Sequence, residues 1–160
     1  MAQAVVTEAL SLNNPLFGCY AFYCAVLVLK MMFMSVFTAM TRLKTEVFAS
    51  PEDAVFARSA KARARTNLIR DENVERVRRA HLNDLENIPI FLIVSLVYIL
   101  TNPSYFLATM LIRIYALARI IHTFVYAVVV IPQPARGISW FVGFAITGYM
   151  AVQNLLCFLN

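Results

Sequence analysis

The sequence predicts an all-α integral membrane protein, one four-helix bundle over residues 1–160, associating as an oligomer. Three observations predict it. Of the 160 residues, 61% are apolar and only 14% charged, against about 45–50% and about 25% in soluble domains. Mean hydropathy is +0.69, more apolar surface than a single soluble core of this length can hide. And the apolar residues fall into four long stretches divided by prolines or by charge. The same composition excludes a disordered chain. The six prolines and four glycines exclude a collagen-like one, and the length fits one domain.

The first helix is predicted over 15–41, from LFGCYAFYCAVLVLKMMFMSVFTAM, interrupted only by Lys30. A crossing needs about 20 apolar residues, and this stretch supplies them. Residues 1–14 hold no Lys or Arg, so a cleavable signal lacks its basic segment and the first helix is expected to stay as an anchor. Residues 42–72 form one long polar connection, predicted to be cytosolic. Within it Pro51 starts a short helical turn, with Ser50 ahead of it and Glu52 and Asp53 in the first turn.

The second helix is predicted over 73–100. Its apolar run, Ile88 to Leu100, has 13 residues and reaches crossing length only by taking in VERVRRAHLNDLEN. Asn102-Pro103 marks a tight turn. The third helix is predicted over 104–131 and carries Arg113, Arg119 and His122. Pro132 and Pro134 divide it from a fourth, uncharged helix over 137–158.

Charge placement sets the orientation. The first connection carries Arg42, Lys44, Arg58, Lys61, Arg63, Arg65 and Arg70, and the third carries Arg136. The other side has Glu8 and no basic residue. Basic connections stay cytoplasmic, so both termini are expected across the membrane. The net charge of +5 therefore reports topology and an internal site, not a nucleic-acid surface. Cys19, Cys24 and Cys157 have neither disulfide nor zinc spacing.

At 100° per residue, Glu75, Arg79, Asn83 and Glu86 share one face of the second helix, edged by Arg76 and Asn87. Arg78, His81 and Asp84 fill much of the rest. Tyr115, Arg119, His122, Thr123 and Tyr126 lie within about 100° of arc on the third. Charge at membrane depth is costly unless paired or wetted. The polar faces are thus expected to line a cavity at an oligomer interface. Arg79 with Glu75 or Glu86, and Arg119 with an acid of the second helix, are alternatively ion pairs that only fix packing. Val74 to Asn87 balances three arginines against three acids; Arg42, Arg119 and Arg136 then put arginine in excess, which suits a small anionic ligand held bidentately. His81 and His122 read as hydrogen-bonding residues, with no third ligand spaced for a metal, and Lys30 as snorkelling or paired within the bundle.

VERVRRAHLNDLENI at Val74 to Ile88 resembles the signature of the membrane-associated eicosanoid and glutathione metabolism family. RLKTEVFASPEDA from Arg42, ARIIHTFVY from Ala118 and PQPARGISWFVG from Pro132 are similar to that family in the same order. The resemblance implies a homotrimer of four-helix subunits that binds glutathione as cosubstrate between neighbours near the cytosolic side, without metal. It implies glutathione contacts at Arg42, Arg78, Arg79, His81, Glu86 and Tyr126, supporting positions at Asn83, Arg119 and His122, and an arginine near the thiol at Arg136. Arg136 and Tyr126 are the residues expected to act on the thiol.

The activity implied is conjugation of glutathione to hydrophobic electrophiles, with peroxidase activity on lipid hydroperoxides. The membrane implied is that of the endoplasmic reticulum, with the mitochondrial outer membrane as a second location. Alternatives are a glutathione-dependent isomerase of the prostaglandin E synthase type, a non-catalytic lipid-binding scaffold and a small transporter subunit. Three positions depart from family patterns. Ala54 stands where the transferases carry a reactive-compound-sensing cysteine. Gly137 and Leu82 stand where the isomerase carries serine and arginine.

Overall fold

The computed structural model describes residues 7–57 and 71–159. Four helices are long and apolar enough to cross a membrane, and no strand occurs among the described residues. Arg58, Lys61, Arg63, Arg65 and Arg70, assigned to the cytosolic connection from sequence, lie outside the described residues.

Helix α1 spans Pro15–Thr45. The Asn14 side chain caps it by accepting from the Leu16 N–H at 2.9 Å, and Pro15 fits the first turn, where no donor is needed. It runs four residues past the expected end. The Thr41 and Thr45 hydroxyls donate to the carbonyls of Phe37 and Thr41, and Arg42 and Lys44 sit in the last turn, where cations suit the helix dipole. Glu46 then ends it in the left-handed conformation at φ 56°. A 31-residue helix is about 46 Å long, against about 30 Å of hydrocarbon, so α1 is longer than one crossing requires. Pro51–Phe56 forms a 3₁₀ turn with Glu52 and Asp53 in its first turn.

Helix α2, Glu72–Leu100, is capped by Asp71, whose carboxylate accepts from Asn73 and Val74 N–H at 2.9 and 3.1 Å. It carries Pro89 internally. Thr101 and Asn102, the latter at φ 53°, turn the chain into α3, Tyr105–Thr123.

The expected third helix over 104–131 is too long. Its α-helical part ends at Thr123 and widens into a π turn, Phe124–Val128, where the Val129 N–H reaches back to the Phe124 carbonyl at 2.8 Å. Pro132 and Pro134 bar further helix. Helix α4, Ala135–Leu159, begins two residues early, because the Gln133 side chain accepts from the Gly137 N–H at 3.1 Å and so caps it.

Helices α1 and α4 each pack against both α2 and α3, while α2 and α3 meet only sparsely. The core is built on Leu27, Ile88, Phe91, Ile112, Tyr115 and Met150. Phe91 and Tyr115 stack with ring centres 3.5 Å apart, and the Tyr115 hydroxyl donates to the Asn87 carbonyl at 3.1 Å. Gly143 lets α4 approach here: a Cβ on it would lie 3.3 Å from the Tyr115 ring. Phe22, Phe33, Ile93, Phe106, Phe141 and Leu155 point outward. That is the distribution expected when the surrounding solvent is hydrocarbon.

Candidate functional site

The densest polar structure in the bundle is not at the surface. Asp84 is fully buried and forms ion pairs with Lys30 of α1 and with Arg119 of α3, the latter at 2.6 Å. Thr123 donates to the same carboxylate at 3.3 Å. Arg119 is only 1% exposed, and its Nη2 also donates to Asn83 Oδ1 at 2.8 Å. Of the two sequence readings, pairing with an acid of the second helix is thus the geometry of Arg119, and Asp84 is the acid. Lys30 is paired within the bundle. The network fastens three helices where unpaired charge would be most expensive.

Beside this network, toward the end of the bundle that holds the α1–α2 and α3–α4 connections, lies a cavity of about 430 Å³. Arg79, Asn83 and Glu86 of α2 form one wall at i, i+4 and i+7, with Leu82 beside them. His122 and Tyr126 form the second, and Gln133, Arg136, Gly137 and Trp140 the third. Tyr126 belongs to the π turn. Its ring meets His122 edge-on at 5.5 Å between centres, and the Arg136 guanidinium lies 4.5 Å from its centroid, a cation–π contact tying α4 to α3.

Of the sequence-predicted residues, Arg79, Asn83, Glu86, His122, Tyr126 and Arg136 thus come together around one cavity. Arg119 stands behind it, reaching the lining only through Asn83. Arg42, Arg78 and His81 do not line it. Arg78 is held by Glu75 at 3.1 Å on an exposed face, and Arg42 lies in the last turn of α1. Arg79 pairs with Glu72 at 2.7 Å, neither of the two acids expected, because Glu72 opens the helix and folds back one face-repeat. Tyr115 and Thr123 share the stripe of Arg119 but face the core.

Four lining residues, Leu82, Gln133, Gly137 and Trp140, were not read as site residues in the sequence. Gln133 and Gly137 form the α4 cap, and the signal was the Gln-Pro pair four residues before a glycine. Trp140 stacks on Phe144 at 5.0 Å and lines a second, more apolar groove of about 510 Å³ with Ile90, Val94 and Phe144. Asn83, Glu86 and Trp140 are common to both spaces, so polar cavity and apolar groove adjoin.

Residues 20–156 match the MAPEG family. The chain belongs to the MAPEG family. It is 46% identical over 147 residues to microsomal glutathione S-transferase 1 of Mus musculus, an alignment covering 90% of this chain and 92% of that protein. Identity to microsomal glutathione S-transferase 1 of Homo sapiens is 44% over 144 residues, with the same coverages. Prostaglandin E synthase of Homo sapiens is 31% identical over 154 residues, 92% of this chain and 93% of that one. In this MAPEG chain the family signature and the cavity coincide, since Val74 to Ile88 supplies its α2 wall.

Proposed function

We propose that this chain is a membrane-bound glutathione transferase joining the glutathione thiolate to hydrophobic electrophiles, with peroxidase activity on lipid hydroperoxides. One observation carries the reading. A cavity lined by two arginines adjoins an apolar groove, with Asn83, Glu86 and Trp140 common to both. That is the geometry needed to bring a charged tripeptide from water against a reactant dissolved in lipid.

The chemistry follows from the residues. Guanidinium groups grip carboxylates bidentately. A thiol of ordinary pKa near 8.5 is a weak nucleophile until it ionises, and a neighbouring cation favours the ionised form. Arg79 sits on the α2 wall and serves to hold the peptide. Arg136 sits on the α4 wall, beside the shared Trp140, and is the cation placed to keep the sulfur deprotonated, with the Tyr126 hydroxyl as a donor to it. The thiolate displaces the leaving group at an electrophilic carbon, or attacks a peroxide oxygen, breaking the O–O bond to release the alcohol and leave a glutathione sulfenic acid that a second glutathione converts to the disulfide and water. Confining both reactants removes much of the entropic cost of their encounter.

Arg42, Arg78 and His81 complete the reading as residues offered to a neighbour's cavity in a homotrimer. They are polar, they flank the same end of the bundle, and their own cavity does not use them. The basic Arg42, Lys44 and Arg136 at this end support a cytosolic orientation for it, and we infer the endoplasmic reticulum membrane, with the mitochondrial outer membrane as a second location.

The test is detergent-purified protein with glutathione and a chlorinated nitroarene. Conjugate formation and chloride release are expected. A protein that instead only isomerises a lipid endoperoxide, or that binds glutathione without consuming it, overturns the transferase reading.

A further inference from the structure

The buried Lys30–Asp84–Arg119 network does more than neutralise charge, because of what Arg119 touches. Arginine has five N–H donors and no acceptor. The Asn83 atom that meets Arg119 Nη2 at 2.8 Å is therefore the amide oxygen, by chemistry alone. Arg119 lies inside the bundle at 1% exposure and does not line the cavity, whereas Asn83 does. With its oxygen engaged by Arg119, the Asn83 amide keeps its NH₂ to offer to another partner.

The same Nη2 bridges Asn83 Oδ1 and Asp84 Oδ1, so the carboxylate anchors the one guanidinium nitrogen that reaches Asn83. Lys30 and Thr123 occupy the other carboxylate oxygen and keep it from turning. Two cations against one anion leave this buried group formally positive, directly behind the cavity wall.

We propose that Asp84 is a positioning residue of the site: it holds Arg119 against the Asn83 oxygen, so that Asn83 offers only N–H donors to a carboxylate or peptide carbonyl in the cavity. The inference rests on the glutathione reading above. It adds that one helix-crossing ion pair, itself out of reach of ligand, fixes the polarity of a ligand contact.

Three substitutions test it in the full chain, with calorimetric titration of glutathione, steady-state kinetics and thermal unfolding in detergent. Asn83→Asp keeps an oxygen for Arg119, so the fold and the melting temperature should hold while a donor becomes an acceptor. Glutathione affinity should fall about tenfold or more. KM for the electrophile should change less than that for glutathione, because the apolar lining of the groove, Ile90, Val94, Trp140 and Phe144, is untouched. Asp84→Asn should raise the glutathione KM, and adding Asn83→Ala to it should cost little more than either change alone, since both act through one contact.

Unchanged affinity in Asn83→Asp overturns the proposal. So do fully additive losses in the double variant, which belong to a merely structural pair. Should Asp84→Asn fail to fold, Asn83→Asp alone decides. If the unsubstituted protein binds no glutathione, the transferase reading fails and takes this role with it. If that protein binds and Asn83→Asp binds equally, only the positioning role fails.

Discussion

The Arg136 guanidinium lies over the face of the Tyr126 ring, 4.5 Å from its centroid, so the first turn of α4 is fastened to the π turn that ends α3. A cation on an aromatic face is held at a fixed height without its charge being neutralised. It stays available to an anion in the cavity, which a carboxylate partner would not permit.

Arg136→Ala should therefore remove turnover more than binding. Loss of one positioned charge-stabilising donor costs about 10²–10³ in kcat, while glutathione affinity should change by less than about threefold, because Arg79 still holds the peptide. Stopped-flow absorbance of the thiolate with steady-state kinetics checks this. Thiolate formation at the unsubstituted rate and extent removes Arg136 from the mechanism.

Arg79→Ala should show the opposite pattern. Its ion pair with Glu72 is solvent-exposed, and such pairs contribute about 0–1 kcal/mol, so the melting temperature should barely move. Glutathione affinity should drop about tenfold, the loss of one charge-assisted contact. Titration calorimetry reads it directly, and an affinity within twofold of the original contradicts the assignment.

Trp140→Ala should separate the two reactants. The indole is common to both cavity and groove and stacks on Phe144, so its loss opens the groove more than it weakens the arginine contacts. KM for an apolar aromatic electrophile should rise about five- to tenfold, corresponding to about 1–1.4 kcal/mol, with the glutathione KM nearly constant. Kinetics with each reactant varied in turn decide it.

Gly143→Val should destabilise the bundle itself. Even a Cβ at this position would be 3.3 Å from Tyr115 and 3.6 Å from the Arg119 side chain, and Tyr115 is held by its stack on Phe91 and its hydrogen bond to the Asn87 carbonyl. Overpacking of this kind costs about 1–3 kcal/mol. Thermal unfolding in detergent should show a lowered midpoint, and an unchanged midpoint contradicts the close approach.

The α2 wall was legible in the sequence because one period, 3.6 residues, places Arg79, Asn83 and Glu86 on one face, and it is the face the cavity uses. The start of α1 and the end of α2 were nearly legible too, from Pro15 ahead of the first apolar run and from the Asn102-Pro103 turn; the Asn14 and Asp71 caps were not read. The partner of Arg119 was not. Asn83 and Asp84 are adjacent in the chain and about 100° apart around the helix, and only the approach of α3 decides that one guanidinium nitrogen reaches both. The early end of α3 was illegible for a different reason: a π turn replaces one hydrogen-bond spacing by another and calls for no marker residue. Trp140 and Gln133 escaped because neither is charged, and the reading followed charge.

Lys30 and Asp84 are separated by 54 positions in the chain, and that interval matters while the protein is being made. Helix α1 leaves the ribosome before α2 and carries an ammonium group near its middle, which at a helix centre opposes insertion by about 2.5–3.5 kcal/mol. Its counter-charge arrives only with the next crossing. Nascent α1 is thus a reluctant anchor until α2 emerges, and the two should pass sideways from the translocation channel into lipid as a hairpin.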